Sequence, residues 1–438
     1  MMMLMQQTRL TISSSSSCFV GGRSPLLRSL INSSSRYYTT TTTGKVYSWG
    51  SGSNGKLGHG MGVNQLNKPT FVRELIQHDV THISCGTTFT MFAAAATPTS
   101  TIQSQQQIQL LGCGDNSYGQ LIIGNGKIPV LENIVPLSND CESFKPPNLV
   151  GRSVKQLTSG TFHSACLLDD GNVYLWGSAN SGQLGSPTYA RLLYNPYLNT
   201  RLQKTGVQRL SCGSTFTVAL SNDGQLYTFG SAIFNELGHD NEFNERTPKR
   251  IRHALLQDRP PVVDISSGYF HSMALTQDNR VLVWGRNQEG QCQPVEKGME
   301  KGCFSSVHEL DISRLHGDPI IQIGCGSFSS YILTKSGAMY SIGSNDHGQL
   351  GVGSESLFGQ LNHISTLPAG ITKFWTGHQY AIATDGQKYY GWGSNYDFQL
   401  ALDKRCVYNQ PVVLDSLSAI GQPIKHIAAS VTHALALV

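Results

Sequence analysis

Short apolar runs separated by small-residue and glycine turns recur along this chain. Residues 157–185, L-T-S-G-T-F-H-S-A-C-L-L-D-D-G-N-V-Y-L-W-G-S-A-N-S-G-Q-L-G, show one complete unit. A small patch, Ser159 and Gly160, leads into the apolar run 165–168. Asp170 and Gly171 mark a turn, an alternating strand over 173–176 ends on Trp176-Gly177, and Gly-Gln-Leu-Gly closes the unit. Two short strands joined by Asp-Gly predict a β-hairpin with a type I′ turn, whose central residues need positive φ.

The unit repeats. Its second strand ends at Trp49-Gly50, Cys113-Gly114, Trp176-Gly177, Phe229-Gly230, Trp284-Gly285, Ile342-Gly343 and Trp392-Gly393. Its upstream strand also recurs seven times, from 82–86 to 426–430. The two series are out of phase. The first Trp-Gly strand, 45–50, lacks an upstream partner, and the last upstream strand, 426–438, lacks a Trp-Gly partner. Joining them leaves no open sheet edge. The expectation is an all-β protein: a closed seven-bladed β-propeller over 45–438, four antiparallel strands per blade, the N- and C-terminal strands sharing one blade. An open solenoid would need capping repeats in place of complementary halves.

Residues 1–44 differ in composition. They carry Arg9, Arg23, Arg28 and Arg36, a serine run at 13–17 and no acid, the first of which is Glu74. Arginine and serine without acids predict a disordered mitochondrial transit peptide, with Arg36 three residues ahead of a cut before Thr39. Without those four arginines, the 32 basic and 28 acidic residues balance. A neutral body argues against strong non-specific nucleic-acid binding. No run approaches the ~18 apolar residues of a membrane span. The ten cysteines contain no CxxC, and no Cys/His cluster has zinc spacing. Cys85, Cys212 and Cys325 share one repeat position and read as small core residues with free thiols, which suits a reducing matrix.

Three histidines, His163, His271 and His433, share a position that elsewhere holds Phe89, Phe216, Ser329 or Tyr380. Such exchange speaks for a structural role, predicted as bonding to neighbouring backbone near the shaft. No acid pair, nucleophile–base set or phosphate loop stands out, so no cofactor, metal or catalytic residue is assigned. The densest basic run holds Arg246, Lys249, Arg250, Arg252 and His253. It is a candidate contact for a protein or RNA partner, against the alternative of a solvated edge strand. A looser cluster holds Arg191, Arg201, Lys204 and Arg209. The alanine- and glutamine-rich stretch 93–107 reads as a floppy hairpin tip.

The pattern G-x-x-H-S-x-A-L … D-G-x-V-Y-x-W-G … G-Q-L-G resembles the regulator of chromosome condensation repeat, over 45–438. The WD signature and the paired glycines of kelch repeats are absent. Organellar members of this family are associated with ribosome assembly, RNA processing or respiratory-complex assembly. With the leader and the lack of catalytic chemistry, the expectation is a monomeric, non-enzymatic scaffold in the mitochondrial matrix, and the resemblance implies a role in ribosome assembly or RNA metabolism. Its rim loops would bind mitochondrial ribosomal or assembly proteins and, through single-stranded or folded segments, RNA. The alternative is guanine-nucleotide exchange on a mitochondrial GTPase, the founding member's activity, which uses a wedge inserted after one Trp-Gly. Here the loops 51–57, 178–184, 231–237 and 344–350 are equally short, which counts against a wedge at those places.

Overall fold

The computed structural model describes residues 44–438 apart from 61, 96–107, 123–127, 137–151, 258, 294–301 and 355. The leader expected at 1–44 therefore lies outside the described residues, Gly44 excepted. So does most of the hairpin tip, although residues 93–95 prove to be regular strand.

The chain begins with β1 (Val46–Ser51) and β2 (Gln65–Phe71). The second blade is β3 (Asp79–Cys85), β4 (Phe89–Ala95), β5 (Ile108–Asp115) and β6 (Val130–Pro136). The third is β7 (Val154–Ser159), β8 (His163–Leu168), β9 (Val173–Ser178) and β10 (Leu192–Leu198). The fourth is β11 (Val207–Cys212), β12 (Phe216–Ser221), β13 (Leu226–Gly230) and β14 (Glu245–Arg250). The fifth is β15 (Val262–Ser267), β16 (His271–Thr276), β17 (Val281–Arg286) and β18 (Cys303–Glu309). The sixth is β19 (Ile320–Cys325), β20 (Ser329–Thr334), β21 (Met339–Gly343) and β22 (Asn362–His363). The seventh is β23 (Lys373–Thr376), β24 (Tyr380–Thr384), β25 (Tyr389–Ser394) and β26 (Val407–Val413). The chain returns as β27 (His426–Ala429) and β28 (His433–Leu437).

These strands form seven four-stranded sheets. The first blade has the order β2-β1-β28-β27, with Trp49 opposite Ala434 and Val46 opposite Leu437. The predicted union of the two chain ends is thus present. Shaft strands touch in the cycle β3, β7, β11, β15, β19, β23, β27 and back to β3, so the ring closes. Seven apolar clusters fill it, one per seam; the clusters around Trp49 and around Val46 flank the shared blade. Sheets stack face to face because each blade is apolar on both faces near the shaft: β8, β9, β12 and β16 are buried along their whole length.

Two local devices hold the units in shape. Each Trp-Gly glycine takes a positive φ near the end of the third strand. At Gly177, φ is +104° and a Cβ would lie 2.5 Å from the Phe162 carbonyl oxygen, so no other residue fits. The hairpin turn differs from the expected type I′. Gly171 alone has positive φ (+81°), while Asp170 does not, and the Gly171 amide donates to the Leu168 carbonyl at 3.0 Å. Residues 221–224 and 276–279 repeat this, with Gly224 and Asn279 left-handed. The turn is type I followed by one left-handed residue, because three residues, not two, lie inside the closing pair in which the Leu168 amide donates to the Asn172 carbonyl.

Candidate functional site

Each seam is built on one carbonyl at an equivalent place in the loop following the third strand, that of the residue before Leu57, Leu121, Leu184, Leu237, Cys292, Leu350 or Leu400. At four seams the next blade's tryptophan donates to it. Trp49 Nε1 reaches Gln399 at 2.8 Å, Trp176 reaches Gln120 at 2.9 Å, Trp284 reaches Glu236 at 2.8 Å and Trp392 reaches Gln349 at 2.8 Å. At the other three seams the tryptophan position holds Cys113, Phe229 or Ile342, and a hydroxyl donates instead. Thr90 reaches Lys56 at 2.7 Å, Thr217 reaches Gln183 at 2.8 Å and Ser330 reaches Gln291 at 2.9 Å.

The three histidines sit at these tryptophan-free seams. His433 Nε2 meets Thr90 at 3.0 Å, His163 meets Thr217 at 3.0 Å and His271 meets Ser330 at 2.9 Å. Each hydroxyl gives its one proton to the loop carbonyl, so Nε2 carries the imidazole proton and donates. The partner is therefore a hydroxyl of the next blade and not neighbouring backbone, a correction to the sequence expectation. An imidazole fills the space opposite a small residue where an indole is lacking. Burial lowers the pKa of His163 and of His271 to about 3 and pushes His433 well down. These neutral, enclosed rings are seam parts.

The shaft is lined by small polar residues and three thiols. Its mouth on the distal face, where the shaft strands end, is a cavity of about 240 Å³ bordered by Thr87, Tyr269, Ser327 and His378. Cys85, Cys212 and Cys325 line it, and burial pushes all three thiols upward, to about 12 for Cys212 and Cys325. Cys85 and Cys212 are half-buried, not core residues. No group of acids, histidines or cysteines among the described residues could hold a metal ion.

The basic run occupies β14, the outer strand of the fourth blade, and the residues just past it. Lys249 pairs with Glu245. Arg246 lies over the Tyr189 ring, 4.9 Å from its centre. His253 accepts the Leu255 amide at 3.3 Å and caps a short turn. Arg250 and Arg252 are exposed and form no ion pair among the described residues. Arg201 joins the run by donating to Thr247 at 3.1 Å, whereas Arg209 turns to Asp264 at 3.0 Å.

Sequence reasoning missed a second surface. On the distal face, Arg286 stands among three half-buried rings, 4.7 Å from the centre of Phe328, 5.5 Å from Phe234 and 5.9 Å from Phe270. Its guanidinium donates to Glu289 at 3.1 Å. Tyr269 packs edge-on against Phe270 at 4.6 Å and against His378 at 4.9 Å, and Ile233 beside Phe234 is 67% exposed. Phenylalanine just before the histidine position, at Phe162, Phe270 and Phe328, was the available signal. It reads as core until the loop is seen to face outward.

Residues 109–438 match the RCC1-like domain, and residues 43–93 match the regulator of chromosome condensation (RCC1) repeat. The chain belongs to the RCC1-like propellers. It is 45% identical over 424 residues to an RCC1 repeat-containing protein of Dictyostelium discoideum, covering 90% of this chain and 85% of that one. It is 27% identical over 415 residues to the mitochondrial RCC1 domain-containing protein RUG3 of Arabidopsis thaliana, covering 90% and 88%. The Prp20p structure from Saccharomyces cerevisiae superposes with a TM-score of 0.76 at 22% identity, covering 91% of this chain and 92% of that one. RCC1-like propellers act through protein partners, and in some members through nucleotide exchange. No helix among the described residues is long and apolar enough to cross a membrane.

Proposed function

We propose that this propeller is a non-enzymatic interaction scaffold of the mitochondrial matrix, serving ribosome assembly or RNA metabolism. The observation that carries the scaffold reading is the Arg286 patch on a stiff ring. Three half-buried phenylalanines around a guanidinium are the kind of anchor that dominates protein interfaces. Arg250 and Arg252 would add a phosphate-facing contact at the rim. The mitochondrial placement is supported by the arginine-rich, acid-free leader and by the mitochondrial relative at 27% identity.

The test is affinity purification from isolated mitochondria, with protein and RNA identified, followed by gradient sedimentation with and without nuclease. Co-sedimentation with a ribonucleoprotein particle supports the reading; migration only as a free monomer overturns it. Nucleotide exchange on a mitochondrial GTPase is the second reading, favoured by the likeness to Prp20p, whose structure was described with its binding to Gsp1p. Faster nucleotide release from an organellar GTPase in the presence of the protein would establish it. No acceleration across such GTPases would dismiss it.

A further inference from the structure

At the proximal face, where the shaft strands begin, seven equivalent positions ring the mouth: His82, Gln156, Arg209, Asp264, Gln322, Lys373 and His426. They occupy the same register, opposite Ala93, Leu167, Leu220, Leu275, Leu333, Thr384 and Leu437 of the second strands. Four of them are engaged by amide bridges to the next blade or by an ion pair. Gln156 bridges to the next blade by donating to the Leu210 carbonyl at 2.7 Å and accepting the Leu210 amide at 2.8 Å. Gln322 does the same with Phe374, at 2.7 and 3.2 Å. Arg209 and Asp264 form an ion pair at 3.0 Å.

The three that remain fall in consecutive blades and are all basic: Lys373, His426 and His82. Lys373 Nζ donates to the Lys425 carbonyl at 2.7 Å and lies 5.2 Å from the centre of the Trp375 ring. His426 Nδ1 accepts the Trp375 indole N–H at 3.3 Å, which leaves Nε2 as a donor free to face a ligand. His82 Nδ1 lies 3.1 Å from the Thr81 hydroxyl. Lys155 is exposed nearby on β7, and Lys425 Nζ reaches the Val438 carbonyl at 3.2 Å. Among the described residues, no carboxylate pairs with Lys373, His426 or His82. His426 feels the charges of the other two. Burial lowers the pKa of His426 to about 4, and the charges of Lys373 and His82 add to the shift. Burial also lowers His82 and Lys373. His426, Trp375 and Gln156 border a cavity of about 320 Å³ at this mouth, and Lys373 and His82 stand outside its lining.

We propose that this mouth is a binding site for a phosphate group, carried by inorganic phosphate or a small phosphomonoester, held by Lys373, His426 and His82. One ammonium and two imidazoles can direct N–H donors at several oxygens of a dianion, and the dianion supplies the counter-charge that the arc lacks. A bound dianion also favours the protonated imidazoles, so binding draws protons onto His82 and His426. The acid on this ring, Asp264, is turned to Arg209 and does not oppose the anion. The site lies on the face opposite the Arg286 patch and stands independently of the scaffold reading.

Calorimetric titration of the full chain with inorganic phosphate, glycerol phosphate and acetate tests this, with imidazole proton resonances followed by NMR. The expected result is saturable binding of either phosphate compound, weaker binding of acetate, and a rise in the pKa of His426 and His82 on addition of phosphate. Preference for glycerol phosphate over inorganic phosphate would identify the ligand as an ester. Lys373→Gln should weaken binding about tenfold, the loss of one charge-assisted bond. His426→Gln, which keeps a donor without the charge, should weaken it less. Absence of saturable binding overturns the proposal. So does undiminished affinity in a folded Lys373→Gln protein, or unmoved histidine resonances on binding.

Discussion

Trp49 and Gln399 stand 350 positions apart and share a 2.8 Å hydrogen bond inside the ring. Trp49 comes from the first strand of the chain and Gln399 from the loop of the seventh blade, so this contact exists only when the ring is shut. Both groups are buried.

Trp49→Phe should therefore weaken the ring by about 1–3 kcal/mol, because it leaves the Gln399 carbonyl buried without its donor. Urea denaturation gives the value. An equal stability for Trp49→Phe and the unaltered chain would show that closure does not depend on this bond.

The seam pattern predicts coupling between residues of different blades. His163→Ala should cost about 2 kcal/mol through a cavity and a lost hydrogen bond. Thr217→Ala should cost less once His163 has been replaced. The coupling energy in the double-mutant cycle is expected in the range of about 0.5–3 kcal/mol. Changing a whole seam at once, with His163→Phe, Thr217→Ala and Phe229→Trp, should restore more stability than the single changes suggest. The seam of Trp49 has the same arrangement with Tyr380 in place of the phenylalanine, and Ala434 lies opposite the indole.

The pH dependence follows from the buried histidines. His163 and His271 have folded-state pKa values of about 3, against about 6.5 in the unfolded chain. Unfolding takes up protons in that window, so stability is fully present above pH ~6.5 and falls as the pH drops toward 3. Each should remove up to about 2 kcal/mol by pH 5. Replacing both by phenylalanine should flatten this limb of the stability–pH curve.

Glu236 works in the other direction. It stands where five other loops have Gln120, Gln183, Gln291, Gln349 or Gln399, and burial raises its pKa to about 7. It accepts the Phe234 amide at 2.8 Å. Its folded form holds a proton that the unfolded form has lost, so stability is full below about pH 4.5 and declines as the pH rises through 7. Glu236→Gln should leave stability unchanged near pH 5 and raise it by about 2 kcal/mol at pH 8, measured by thermal or urea unfolding.

The two candidate contact surfaces should separate in a retention assay. Arg286→Glu should weaken protein capture from mitochondrial extract without altering its salt dependence. Arg250→Glu with Arg252→Glu should weaken only nuclease-sensitive association, with a shallower salt slope. Unchanged association of the second variant would return β14 to the role of a charged edge strand.

The number of blades, the shared first blade and the position of every third strand were legible in the amino-acid sequence. The reason is that glycine at the Trp-Gly position is sterically required in each unit, and strand alternation is a local property. The histidines were recognised as structural, yet their partners were not. Nothing within one repeat states that His163 depends on whether the blade after it has Phe229 in place of a tryptophan; only the stacking of two blades creates that dependence. The turn type also escaped, because loop length and not the Asp-Gly pair selects it. The same distinction separates the surfaces. A run such as 246–253 is contiguous and visible, although folding diverts Lys249 and His253 to local partners. Arg286 shares a blade with Phe270 and meets Phe234 and Phe328 from the blades on either side, while Lys373, His426 and His82 come from three consecutive blades. Local sequence chose each residue; the stacking of blades, and for His426 the return of the chain end into the first blade, brought them within reach of one another.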